Sequence, residues 1–442
     1  MIEILPNIIF SFLLIISLGF FGRNIKKLIR VINLGKPVDR SDNPVKRLSN
    51  MIKIALGQSK MVTKPISGAL HVIVYLGFII INIEVLEILI DGVTGSHRFF
   101  SKYFNTTIYN FLIASFEIFA LLVLISVIIF WTRRNLLKIK RFLSSEMKGW
   151  PKFDADNILY FEVVLMMLFL SMNATDLILQ ERNFEGYYSA GSFPVSSFMV
   201  PIFDSFTTST VFLLERTFWW SHIIGIFFFL NYLYYSKHLH ILLAFPNTYF
   251  ANLNAKGKLS NLKSVTNEVK MMLDPSIDPY ASTSSVEVSK FGASDVFDLS
   301  KIQLLNAYTC TECGRCTSEC PANQTGKKLS PRKIMMDTRD RMEVVGNNID
   351  VNNGEFKPDG KELLGDYVTN EELWACTSCN ACVEACPIGI DPLSIIMDMR
   401  RYLVMEKSDA PSELNNMMSN IENNGAPWPF NQMDKLNWKN EI

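Results

Sequence analysis

The chain has 442 residues, with 43 Lys or Arg against 43 Asp or Glu, and eight cysteines. A net charge of zero gives no support for nucleic-acid binding, whereas a positive mean hydropathy beside plentiful charge points to apolar spans joined to a polar domain. Every cysteine lies within 310–386, which leaves none for a structural disulfide elsewhere and suits a reducing compartment.

Five apolar runs, near 7–21, 66–90, 108–131, 158–179 and 218–235, are long enough to cross a bilayer, which takes about 20 residues at about 1.5 Å rise each. The first follows MIEILPN, which has no basic residue, and precedes RNIKKLIR, so it reads as a retained helix and not as a signal peptide. Lys and Arg crowd the loops after the first and third runs, whereas the opposite loops offer only Arg98, Lys102, Arg182 and Arg216. Because basic loops resist translocation, these two are expected in the cytoplasm, with the N-terminus outside and everything after the fifth run inside. Trp219, Trp220, Tyr232, Tyr234 and Tyr235 flank the fifth run as interfacial aromatics do.

The membrane domain is thus expected over 1–245. Residues 246–300 turn polar and Ser/Asn-rich and read as a linker. A small helical domain follows over 301–407, with helix starts signalled by Ser330 before Pro331 and by Asp391 before Pro392. Residues 346–366, rich in Asn, Gly and Asp, read as a surface excursion. Residues 408–442 read as an extended tail carrying Trp428, Phe430 and Trp438, either frayed or laid on a partner.

The cysteines fall in two near copies, CTECGRCTSECP from Cys310 and CTSCNACVEACP from Cys376. Three cysteines at three-residue steps, then one four further on before a proline, is the bacterial ferredoxin spacing for a [4Fe-4S] cluster, and in two-cluster proteins the fourth cysteine serves the other cube. One cluster is therefore expected on Cys310, Cys313, Cys316 and Cys386, and a second on Cys376, Cys379, Cys382 and Cys320. Structural zinc also favours CxxC pairs, but as separated pairs and not as two full runs of this kind. The fold class expected is all-α, a five-helix transmembrane bundle followed by a cytoplasmic α-helical dicluster ferredoxin domain.

With LSPRKIMMD, LWACTSCNACVEACP and IDPLSIIMDMRRYLVME added, the segment 305–406 resembles the small iron–sulfur subunit of heterodisulfide reductases and the helical ferredoxin module of succinate dehydrogenase-type subunits. The membrane half is similar to the cytochrome b-type gamma subunit of respiratory nitrate reductase and to the heterodisulfide reductase membrane anchor. The resemblance covers most of the chain except linker and tail. It departs from the catalytic partners of such systems, which carry cysteine-rich CCG motifs; no cysteine remains here to build one. A relay is implied, with the substrate chemistry on another polypeptide.

Of five histidines, His71 lies near the cytoplasmic start of the second span, His222 near the outer start of the fifth, and His238 and His240 at its cytoplasmic end. On one continuous helix His222 and His240 share a face roughly 27 Å apart, with His238 nearly opposite. Haem b between two helices needs one imidazole from each at a common depth, which His71 and His240 satisfy, and the resemblance, in which spans two and five supply the ligands, points the same way. The other reading makes His71 a packing residue and His238 and His240 headgroup-level cations. A second, outer haem would use His222, with only His97 left to pair with it. Glu84, Glu87, Glu117, Asn173 and Asp176 are polar groups at membrane depth, the kind that mark proton paths or binding pockets, although Glu87 and Asp176 could simply reach the interface.

The expected function is a membrane-anchored electron-transfer subunit, not a complete enzyme. It links a cytoplasmic CCG-motif heterodisulfide reductase-like subunit or flavoprotein dehydrogenase to menaquinone or ubiquinone in the lipid of a bacterial inner membrane. The alternative is a haem-free tether presenting a ferredoxin domain to its client.

Overall fold

The computed structural model describes residues 4–274, 276 and 290–440; the rest of the expected linker, 275 and 277–289, lies outside the described residues. The described residues are helical throughout, with no strand among them. Five helices are long and apolar enough to cross a membrane: α1 (Leu5–Ile32), α2 (Pro65–Thr94), α3 (Thr106–Asn135), α4 (Trp150–Glu181) and α5 (Thr208–Tyr232), the last running on as a tighter turn to Tyr235. Each extends beyond the apolar run that announced it. At α5 the first ten residues precede the run and include Glu215 and Arg216; these pair with each other, so their charges need not break the helix.

Helix α4 is the axis of the bundle. It packs against both α3 and α5, and its half from Leu165 to Gln180 is almost wholly buried. Helix α2 lies against α3, and α1 leans on α2 and α5. Ile113, Phe116, Ala120, Phe169 and Ile223 form the dry centre. The outer surface is apolar too, with Phe12, Ile15, Phe78, Ile83, Phe111, Ile125 and Phe228 exposed. A water-facing bundle would bury such a belt; hydrocarbon accepts it.

After α5 the chain turns through extended Ser236 into α6 (His240–Tyr249), then reaches a helical domain built on α7 (Lys301–Thr309), α8 (Pro331–Val351) and α9 (Pro392–Met405). Both expected helix starts form: Ser330 accepts from the Lys333 N–H and Asp391 from the Ser394 N–H, each with proline in the first turn. Three stretches differ from the sequence reading. Ala293, Val296 and Leu299, expected in the linker, are fully buried in the core of this domain, and a helix occupies Lys263–Leu273. Residues 346–351 continue α8 instead of leaving it, with Gly346 and Ile349 buried. The tail, expected to be extended, forms a helix over Ser412–Asn424 before its exposed Trp428, Phe430 and Trp438.

The helical domain seats on the end of the bundle that carries both basic loops. Lys27 and Arg30 pair with Asp350 at 2.8 and 2.6 Å, and Lys64 pairs with Glu319 at 3.2 Å. Fully buried Arg332 donates to the Arg141 carbonyl at 2.7 Å and to Glu146 at 2.7 Å. Lys36 and Ser300 add a single parallel bridge, with the Lys36 N–H donating to the Leu299 carbonyl at 2.7 Å.

Candidate electron-transfer site

The two cysteine motifs fold alike because their backbones repeat one unusual pattern. The residue before the second cysteine is left-handed in both (Glu312, φ 56°; Ser378, φ 56°), as is the residue after it (Gly314, φ 72°; Asn380, φ 60°). Such turns fold three thiols toward one centre, and they favour the Gly and Asn found at the second position. A Cβ at Gly314 would stand 2.5 Å from Arg332 Nη1, so glycine there also lets the buried arginine through. The short helices Arg315–Ser318 and Ala381–Ala385 that follow pack against each other and draw the motifs together.

None of the eight cysteines is in a disulfide. Cys386 lies in the electrostatic field of Cys313 and Cys316, and Cys320 in that of Cys376 and Cys382, so each motif's fourth thiol neighbours two of the other motif's first three. Burial pushes Cys310 and Cys382 up to about 12 and Cys386 up to about 11, and raises Cys316 and Cys376 as well. Buried thiols raised in this way ionise more readily with a cation beside them. Backbone donors already face the sulfurs: the Ser378 N–H lies 3.4 Å from Cys376 Sγ and the Ile390 N–H 3.3 Å from Cys386 Sγ. Among the described residues no three His, Cys, Asp or Glu side chains close on a single ion. The donor set suits two cubes, each spreading its thiolates over four corners.

Beneath the first motif the histidines gather. His71, His238 and His240 lie within one another's electrostatic reach, and the rings of His238 and His240 are 5.5 Å apart. This corrects the helical-wheel expectation, because α5 ends before either residue and the break at Ser236 brings both imidazoles together. His240 Nδ1 lies 3.1 Å from the Lys237 carbonyl, which leaves Nε2 for a ligand; His71 Nδ1 is buried without a partner. Burial holds His238 down to about 3 and lowers His240 too, so both rings are neutral and able to ligate iron. His222 stands apart, buried between α5 and α4 against Phe169 and the Leu165 backbone. His97 is engaged with Asp176 at 3.2 Å and with the Tyr187 ring.

Sequence reasoning missed the link between the two groups. Glu312, inside the first cysteine motif and 3% exposed, pairs with Arg339 at 2.6 Å and with Lys237, the residue before His238. Arg315 of the same motif donates to the Lys60 and Met61 carbonyls at 3.1 Å and lies in the field of His71. At the far end of the bundle, Arg98 enters from its loop to meet Asp176 at 2.6 Å and Asn173 at 3.0 Å; Asn173 in turn donates to Glu117 at 3.2 Å. Glu87 accepts from the Phe100 N–H at 2.7 Å and the Tyr109 hydroxyl at 3.1 Å. Glu87 and Asp176 are thus buried within the bundle. Beside them Glu84 keeps one oxygen unpartnered and, with Arg98 and Trp220, lines a cavity of about 390 Å³.

Comparison with known proteins agrees with this architecture. A 4Fe-4S dicluster domain model matches residues 309–390. The chain is 28% identical to a probable iron-sulfur-binding oxidoreductase, FadF, of Bacillus subtilis over 94% of its length, and 24% identical to the EtfAB:quinone oxidoreductase of Syntrophomonas wolfei over 96%. It spans 58% of the length of each of these two relatives. One component of the ferredoxin/F420H2-dependent CoB-CoM heterodisulfide reductase of Methanosarcina acetivorans is 33% identical over 25% of the chain and 55% of that component. No solved structure matches the chain. The chain therefore carries a 4Fe-4S dicluster domain on a bundle of five membrane-length helices and is related to iron–sulfur oxidoreductases.

Proposed function

We propose that this chain relays electrons between a soluble redox partner docked on its dicluster domain and quinone in the membrane, through two [4Fe-4S] clusters and a b-type haem. When bound, the clusters and the haem each pass one electron at a time, which divides quinone's two-electron chemistry into single steps. The two cluster sets are Cys310, Cys313, Cys316 and Cys386, and Cys376, Cys379, Cys382 and Cys320. His71 and His240 are the proposed haem ligands, with His238 the alternative to His240.

The observation that carries the reading is the direct tie between the first motif and the histidine turn, Glu312 to Lys237 and Arg315 to the loop beneath His71. Glu312 and Lys237 fix the turn relative to the motif, and the Lys237 carbonyl orients the His240 ring. The relative named for EtfAB and quinone supports a flavoprotein donor and a quinone acceptor, and the heterodisulfide reductase relative supports a CCG-type partner. The two basic loops under the dicluster domain favour a cytoplasmic placement of that domain in a bacterial inner membrane, with the N-terminus outside.

Pyridine haemochrome spectra of the anaerobically purified chain test the haem. A b-type band is expected, lost in both His71→Ala and His240→Ala while iron and sulfide remain. Full haem retention in both variants would overturn the ligand pair, and no band in the wild type would favour the haem-free tether.

A further inference from the structure

The seam between bundle and dicluster domain encloses a cavity of about 540 Å³, walled by Trp150, Tyr232, Tyr234, Tyr235, Tyr308 and Arg30. We propose that this cavity, at the end of the bundle nearest the clusters, binds the quinone ring. The proposal rests on the relay reading above and names the site that reading leaves open.

Its size lies in the range of small-molecule sites, and five aromatic rings suit a flat conjugated ring, which stacks on or packs edge-on to such walls. Trp150 and Tyr235 are 49% and 61% exposed at the ends of membrane-length helices, so the mouth faces the zone where lipid-dissolved molecules arrive. Charged groups share the lining: Lys27 and Arg30 pair with Asp350, Glu343 lies beside them, and the Tyr232 hydroxyl donates to Asp154. Among the described residues the Tyr234 and Tyr308 hydroxyls make no hydrogen bond, and Arg30 Nε is buried without a partner although Nη1 holds Asp350.

Both proposed redox groups stand one step behind the lining, which itself contains neither a cysteine nor a histidine. Tyr308 is two residues from Cys310, and Phe229 touches the Tyr232 ring on one side and the His238 ring on the other. In the reducing direction, a reduced soluble donor is the source of two electrons, which the clusters, when bound, would deliver singly. Water at the mouth, beside Glu343, supplies two protons, and the quinone leaves as quinol. Reaction at this end moves no electron across the membrane potential, which would cost about 2.3 kcal/mol per charge per 100 mV.

The test is photolabelling of the full chain in lipid nanodiscs with an azidoquinone, followed by peptide mapping, beside dithionite-driven quinone reduction. The expected result is label on the Tyr308 or Tyr234 peptide, with about tenfold weaker quinone binding in the Tyr234→Phe/Tyr308→Phe double variant, which keeps both rings and loses two donors. Label on Glu84 or Trp220 peptides, or label displaced by anionic phospholipid and not by excess quinone, would overturn the site while leaving the relay intact. A wild-type chain with both clusters that neither labels nor reduces quinone would overturn the relay reading itself.

Discussion

Glu312 sits left-handed between two cysteines, buried, with a lysine from the membrane domain on one side and an arginine of its own domain on the other. A lone buried carboxylate is expensive; one held by two cations is stable, and removing its charge leaves both cations short of a partner. Glu312→Gln is therefore expected to cost about 3 kcal/mol, read as a lower temperature for bleaching of the iron–sulfur absorbance in an anaerobic melt. The pairing was not legible in the sequence. Lys237 and Glu312 stand 75 residues apart in the chain. The eight cysteines, by contrast, were legible because an iron cube dictates spacing along the chain, whereas an ion pair between 237 and 312 leaves no local periodicity.

Among the elements, the helix starts after each motif were readable because a cap and a first-turn proline act locally. Asp391→Ala should destabilise the dicluster domain by about 1 kcal/mol, with Asp391→Asn recovering most of it, as a denaturant titration of α9 would report. The end of the fifth apolar run at Tyr235 was readable, but the turn that follows it was not. The sequence runs LNYLYYSKHLH with no glycine or proline to stop it, and the break at Ser236 is made by tertiary contact: Asp154 of α4 accepts from the Tyr232 hydroxyl at 2.7 Å and from the Lys237 N–H at 3.1 Å. That distant carboxylate brings His238 and His240 together, which a helical wheel would have separated. Residues 290–299 were misread for a related reason. Their polar Ser294, Asp295 and Asp298 suggested a linker, but Lys290 and Arg341 neutralise the two carboxylates and let Val296 and Leu299 enter the core.

Across the whole molecule, the basic loops that hydropathy rules assign to one side are the ones the dicluster domain sits on, so one set of cations serves both orientation and docking. Lys27 and Arg30 hold the Asp350 carboxyl below its usual range. Burial alone would push Glu146 up, but Arg332 and Ser330 more than offset it and hold it low. For carboxyls depressed in this way, the contribution to docking is complete above their free values of about 4 and is lost as pH falls through the lower, docked values. Hydrogen exchange in α8 should therefore quicken on acidification below about pH 4. Asp350→Asn should remove its part of that dependence at every pH, and exchange that ignored both changes would deny these pairs a role in docking.

The central claim, that eight thiolates hold two iron cubes against a membrane bundle, is tested most directly by metal and sulfide analysis of an oxygen-free preparation of the full chain. The account predicts about eight non-haem iron and eight acid-labile sulfide per chain, falling together in Cys313→Ser or Cys379→Ser. Stoichiometric zinc with no inorganic sulfide would contradict it.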